Sequence, residues 1–135
     1  MTLTNHKLAT TANTAYEITA TVREAVAASG VKDGLCVVFV PHTTAGLSIT
    51  SFWDPKGFDD IHDDINRLVP TRIDFKHQFD TPQDAAGHVK SVLVGVSLTL
   101  IIADGQPRLG HSQGVFFNEF DGPRQRQFFV KCTDG

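Results

Sequence analysis

The chain has 135 residues, 41% hydrophobic and 20% charged with both signs mixed, which excludes a disordered tail or a coiled coil and fits one globular domain over residues 1–135 whose core needs no disulfide or metal staple. Its 12 Lys and Arg against 15 Asp and Glu give a net charge of −3, so no positive surplus is available to neutralise a phosphate backbone, and nucleic acid is not an expected partner. The longest apolar stretch, Val89 to Ala103, is interrupted by Lys90, Ser91, Gly95, Ser97 and Thr99. It falls short of the run of about 20 residues that spans a bilayer, so no membrane partner is expected. Met1 to Thr14 is polar and Thr-rich, without the basic and then apolar regions of a secretory signal. Cys36 and Cys132 lie in separate apolar segments without metal-ligand spacing and read as two unpaired core thiols. A reducing, cytoplasmic location is the expectation.

In chain order, Ile18, Val22 and Val26 recur with a four-residue period, which predicts a helix from Tyr16 to a stop at Gly30. Leu35 to Val40, opened by Gly34 and ended by Pro41, reads as a strand buried on both faces, and Leu47 to Thr50 as a short strand. Asp54-Pro55 is a capped helix start; Phe58, Ile61, Ile65 and Leu68 follow at helical spacing, and Pro70 closes the element. The carboxylates Asp59, Asp60, Asp63 and Asp64 form its solvated face. A third helix runs from Asp84 to about Val94, where Gly95 breaks it. The pattern then turns to strands: Val96 to Ala103, a turn at Asp104-Gly105, a segment through Arg108 and Leu109, Gly114 to Phe120, and Gln127 to Cys132. Three helices among six to eight strands, with hairpins at the end, predict an α+β fold.

Chemistry centres on the six histidines. His42 follows a strand and precedes Thr43-Thr44-Ala45-Gly46, where small residues let a ligand approach the backbone, although a turn histidine reads equally well on its own. His77 and His88 flank an acidic turn containing Asp80 and Asp84. Three imidazoles with an open fourth position would suit a catalytic divalent metal, zinc or magnesium, but the separations of 35 and 11 residues do not force convergence. His6 and His62 read as surface residues. Gly110-His111-Ser112-Gln113-Gly114 is a polar, glycine-flanked segment, either a hairpin loop or a recognition element, because the Gln113 carboxamide both donates and accepts. Lys90 and Arg108 are candidate phosphate partners. Phosphate-loop, dinucleotide and nucleophile-elbow motifs are absent, and no organic cofactor is indicated. Most of the ten Phe fall at core positions, whereas Phe52 and Trp53 could form an aromatic wall.

Taken together, Pro41-His42-Thr43-Thr44-Ala45-Gly46-Leu47, Asp54-Pro55, His77, His88-Val89-Lys90, Gly95, Ser97-Leu98-Thr99 and Leu109-Gly110-x-x-Gln113-Gly114 resemble the YjbQ-type family over about residues 16–130. The resemblance implies a β-sandwich-like α+β domain that assembles as a homotrimer. It also implies a weak secondary thiamine-phosphate synthase activity, which joins a hydroxymethylpyrimidine diphosphate to a thiazole phosphate and releases pyrophosphate. On that basis His42, His77 and His88 would be the metal ligands, and His42, His88 and Lys90 the catalytic residues. Thr43, Thr44, Ser97, His111 and Gln113 would bind the phosphorylated small molecule. Two segments depart from the family: its Asn-Glu-Asn reads Thr50-Ser51-Phe52 here, which removes a carboxylate, and its Gly-Thr-Trp-Gln reads Gly110-His111-Ser112-Gln113, which adds an imidazole. A metal-dependent hydrolase of a small phosphorylated substrate and a noncatalytic trimeric binding protein are the alternatives.

Overall fold

The computed structural model describes residues 2–135 and contains three helices and eight strands in two antiparallel sheets. The strands are β1 (Thr2–Ala9), β2 (Ala15–Glu17), β3 (Asp33–Phe39), β4 (Ala45–Ser51), β5 (Ser97–Ala103), β6 (Gln106–Pro107), β7 (Gln113–Glu119) and β8 (Gln125–Asp134). The helices are α1 (Thr19–Ser29), α2 (Pro55–Leu68) and α3 (Pro82–Val94). The larger sheet has the order β1-β8-β3-β5-β6 and the smaller β2-β7-β4. Their facing sides share one core with α1: Val22 and Val26 of the helix pack with Cys36, Val38, Leu100, Ile102, Phe128 and Val130 of the larger sheet and with Leu47, Val115 and Phe117 of the smaller. The expected α+β architecture is therefore the one observed, and no helix is long and apolar enough to cross a membrane.

One strand adds to the elements expected from the sequence, and two expectations are corrected. The polar N-terminal segment forms β1, paired along its length with β8 from Thr2↔Cys132 to Ala9↔Gln125. A polar edge strand lacks the dense apolar pattern that marks a buried one. The first helix starts at Thr19, because Ala15–Glu17 is taken by pairing with β7. Finally, β3 is buried on one face only: Cys36 and Val38 point into the core, while Leu35 and Phe39 stay 42% and 41% exposed. The capped start at Asp54-Pro55 is as expected, with the Asp54 carboxylate accepting from the Lys56 backbone N–H, and α3 begins two residues early because Thr81 caps it and Pro82 opens it.

Cys36 and Cys132 are free, buried thiols, and the register sets them directly opposite each other on β3 and β8. Burial, then the neighbouring Cys132, pushes the Cys36 thiol up to about 12, which leaves it unreactive.

The least expected buried group is an ion pair. Glu119, at the end of β7, is fully buried and accepts from Nε of Arg126 on β8 at 2.7 Å, with a second bond from Nη2. Thr10 Oγ1 donates to the same carboxylate, the Asp121 backbone N–H donates at 3.0 Å, and Arg126 Nη2 also reaches Thr44 Oγ1 at 2.7 Å. Burial works to raise the Glu119 pKa, but the bonds from Arg126, Thr10 and Asp121 outweigh it and hold the carboxyl below its ordinary 4.5. A depressed carboxyl pKa contributes stability that is complete above 4.5 and is lost as pH falls through the lower folded value. The variant Glu119→Gln, which leaves Arg126 without its counter-charge, is expected to lose about 3–5 kcal/mol at pH 7. Denaturant unfolding from pH 7 to pH 3 should also show a shallower acid loss for the variant than for the parent.

Candidate functional site

The site is built on α3 and the loop before it. The cap at Thr81 and Pro82 fixes the first turn of the helix, and Asp84 and His88, four residues apart, fall on one face. Gly87 brings that helix close to the segment before β4: a Cβ there would stand 2.8 Å from the Phe120 carbonyl oxygen and 3.3 Å from the Thr44 side chain. Close approach lets His88 Nδ1 donate to the Thr43 carbonyl at 3.1 Å. A carbonyl only accepts, so Nδ1 carries a proton and the ring is oriented with Nε2 turned toward Asp84. That Nε2 lies 3.2 Å from Asp84 Oδ2, and His77 Nε2, from the loop preceding α3, lies 3.2 Å from the same oxygen. The two rings meet edge to face at 5.1 Å. Each of the three side chains offers a ligand atom within 4.8 Å of the others.

These donors fit a divalent cation. Two imidazole nitrogens and a carboxylate oxygen converge on one point, an arrangement held together by positive charge, either protons on the rings or a cation between the three. The Thr43 carbonyl is the outer partner that commonly orients a metal-bound imidazole. Asp84 is buried, with its other oxygen 3.6 Å from Arg124 Nη2, and Arg124 is anchored on Asp121 at 2.6 Å. Two clefts meet at His88. One, of about 750 Å³, is lined by Arg72, Lys76, His77 and His88 among others. The other, of about 550 Å³, is mainly apolar and includes Phe39, Val40, His42, Thr43 and Val96.

His42 is not part of the converging group. Its Nε2 accepts from the Gln127 backbone N–H at 2.9 Å. Burial, and then the Arg126 guanidinium, lower its pKa and keep it neutral. It forms a wall of the apolar cleft beside His88 instead. Thr43 contributes its carbonyl, and Thr44 is buried against Arg126 and lines neither cleft. Ser97 is exposed at the start of β5, opposite Phe39. Lys90, two positions past His88, points to another side of α3, where it is 3% exposed and bonds Asn66 Oδ1 at 2.6 Å. Burial lowers its pKa. Arg108 is an exposed partner of Asp104.

His111 and Gln113 belong to the far end of the smaller sheet. The register pairs Ala45 with Glu119 near α3 and Ser51 with Gln113 at the other end, a separation of roughly 20 Å at the usual rise of a strand. There Gln113 Oε1 accepts from the Gly110 N–H at 2.7 Å and closes the loop, while Phe52, Trp53 and His111 form an aromatic row with centroid spacings of 4.7 and 5.4 Å. The departures at Thr50-Ser51-Phe52 and His111-Ser112 therefore lie far from the histidine cluster. His62, read as a surface residue, is half-buried with its ring against the Asn118 side chain, and burial lowers its pKa.

A family model described as UPF0047 protein YjbQ-like matches residues 4–135. The chain belongs to this family. Among its relatives, a UPF0047 protein of Methanocaldococcus jannaschii is 49% identical over 115 residues, covering 85% of this chain and 81% of that protein. The UPF0047 protein YugU of Bacillus subtilis is 35% identical over 117 residues, covering 85% and 86%. A crystal structure of an uncharacterised conserved protein of the YjbQ/UPF0047 family from Clostridium acetobutylicum superposes with a TM-score of 0.89 at 40% identity, over 96% of this chain and 99% of that one. A YbjQ-like protein of unknown function from Sulfolobus solfataricus gives 0.94 at 25% identity, over 99% and 97%.

Within this family fold, the close approach at Gly87 yields a direct test. Gly87→Ala gains about 1 kcal/mol of helix propensity but drives a Cβ into the Phe120 carbonyl, an overpacking cost of about 1–3 kcal/mol. Because the obstacle is backbone, the expected outcome is a net loss of stability, read as a lower urea midpoint at unchanged slope.

Proposed function

We propose that the protein is a divalent-metal-dependent transferase for phosphorylated small molecules, of the thiamine-phosphate synthase kind that the sequence resemblance implies. The observation that carries this reading is the convergence of His77 Nε2 and His88 Nε2 on Asp84 Oδ2 where the two clefts meet. A donor set of two imidazoles and one carboxylate favours zinc or a similar transition metal over magnesium, which prefers oxygen ligands. Bound there, the ion supplies positive charge against the charge that develops on a leaving pyrophosphate. Arg72 and Lys76 line the same cleft and bring cationic side chains to that side. The apolar cleft, with Phe39, Val40 and Val96, suits a ring that carries little charge. A cleft on each side of His88 accommodates two organic partners, which favours transfer over hydrolysis, since water would need only one cleft.

Titration calorimetry of chelator-treated protein with zinc is expected to give one equivalent per chain. His88→Ala and Asp84→Asn should weaken binding by more than about 100-fold, the upper range for losing only an outer-shell partner, while His42→Ala retains it. With the metal restored, the pyrimidine diphosphate and thiazole phosphate should release pyrophosphate, and His88→Ala should abolish the release. Zinc affinity unchanged in both ligand variants would overturn the metal assignment. Substrate binding without turnover would leave the noncatalytic reading.

The trimer that the resemblance implies draws support from the outer face of the larger sheet, where Leu3, Leu35, Phe39 and Ile101 are 62%, 42%, 41% and 63% exposed. Val92 on α3 is 83% exposed and shares the apolar cleft with Phe39. An interface on this face would therefore border the site. Phe39→Glu is expected to shift the light-scattering mass from trimer to monomer with an unchanged circular dichroism spectrum.

A further inference from the structure

Strand β3 stops pairing with β8 at Phe39↔Phe129. Past that point the Val40 N–H still donates to the Val96 carbonyl at 2.9 Å, and Pro41, which has no N–H to offer a ladder, ends the strand. His42 then turns its ring onto the backbone of β8 beyond the ladder, where Nε2 accepts from the Gln127 N–H at 2.9 Å. A backbone N–H can only donate, so this nitrogen carries no proton. The single proton of the neutral imidazole is therefore on Nδ1. Burial and the Arg126 guanidinium lower the pKa, so the ring keeps this one neutral tautomer at pH 7.

His42 lines the apolar cleft of about 550 Å³, a volume typical of small-molecule pockets. The apolar wall of that cleft comes from Phe39, Val40, Val92 and Val96. Its other polar side chains are engaged or solvated: Ser91 Oγ donates to the Ala45 carbonyl at 2.7 Å, His88 lies between the Thr43 carbonyl and Asp84, and Thr43 is exposed. His42 is half-buried, and its Nδ1 has no hydrogen-bond partner among the described residues, yet it is not sealed from solvent. An N–H that nothing accepts, fixed in an otherwise apolar wall, is the kind of single polar group that orients a ligand in such a pocket.

We infer that His42 determines which ring the apolar cleft takes: its Nδ1–H donates to an acceptor atom on the edge of an uncharged planar ring, and rings without an acceptor there bind more weakly. A ring nitrogen or a ring carbonyl meets the requirement. A C–H edge leaves the donor unpaired once water has been displaced, and an N–H edge opposes it. Cations are disfavoured twice, by the apolar walls and by the charges of Arg126 and Arg124, which act on the His42 ring. The inference deepens the reading of this cleft as a ring pocket and rests on it, but it needs neither the metal nor the transfer of a group.

Chelator-treated protein titrated with meta-methylpyridine and with toluene, above neutral pH where the pyridine is uncharged, compares two rings of one shape that differ by an edge nitrogen. The pyridine is expected to bind roughly three- to tenfold more tightly and to move the His42 Nδ1 proton resonance downfield, while toluene leaves that resonance in place. In the free protein the nitrogen spectrum of His42 should show Nδ1 protonated and Nε2 bare. His42→Phe keeps a ring in the wall and removes the donor, so it should bind both probes equally, with the zinc affinity of the histidine cluster unchanged. That variant also strands the Gln127 N–H, and where it fails to fold the spectrum and the two titrations of the parent protein decide. Equal affinity for the two rings, or a proton on Nε2, would overturn this inference alone. Binding of neither ring would overturn it together with the ring-pocket reading.

Discussion

The Glu119–Arg126 pair is the constraint on which the site depends. Its members come from β7 and β8, which belong to different sheets, and its outer bonds hold Thr10 after β1 and Thr44 before β4. Thr44 is thereby fixed, and the carbonyl of its neighbour Thr43 is what sets the proton on His88. A charge pair inside the core is an expensive way to join two sheets, because both ions leave water. Here it does more than join them: it carries the geometry of a buried junction to an imidazole at the surface, through two residues of backbone.

Helix α3 then divides its chemistry by angle. Four residues separate Asp84 from His88, placing them on one side, while two separate His88 from Lys90, placing the ammonium on another. The same turn of helix thus serves an open cationic cleft and a covered polar layer. Ser91, one turn below Gly87, donates to the Ala45 carbonyl at 2.7 Å, so the helix is tied to β4 at the point where the chain leaves the histidine region. The orientation of each functional side chain follows from how the helix is seated, and that seat needs a residue without a side chain at position 87.

Legibility in the sequence tracked how local each feature is. Helix starts at Asp54-Pro55 and near Asp84, and the strand pattern after Gly95, depend on neighbours within a few residues and could be read directly. Edge strand β1 could not, because its pairing partner lies at the other end of the chain. Of the histidines, His77 and His88 converge and His42 does not, an outcome fixed by the Gln127 N–H that claims its ring. Asp84 carried a usable signal, since a carboxylate and an imidazole four apart on a helix share a face. Arg124, Glu119 and Arg126 carried none: their roles come from how distant segments of the two sheets and their loops pack together. His111 and Gln113 were drawn toward the site by family resemblance, but the length of β4 puts them at the opposite end of its sheet.

Strand β3 shows how one short segment can satisfy two unrelated demands. Cys36 and Val38 are answerable to the core, where any change of volume is felt, whereas Leu35 and Phe39 face outward, Phe39 onto the apolar cleft. Alternate letters of the strand are therefore free to vary under different rules. Substitutions at 36 and 38 register as altered folding, and those at 35 and 39 as altered surface with the fold intact, so the two requirements can drift apart without either disturbing the other.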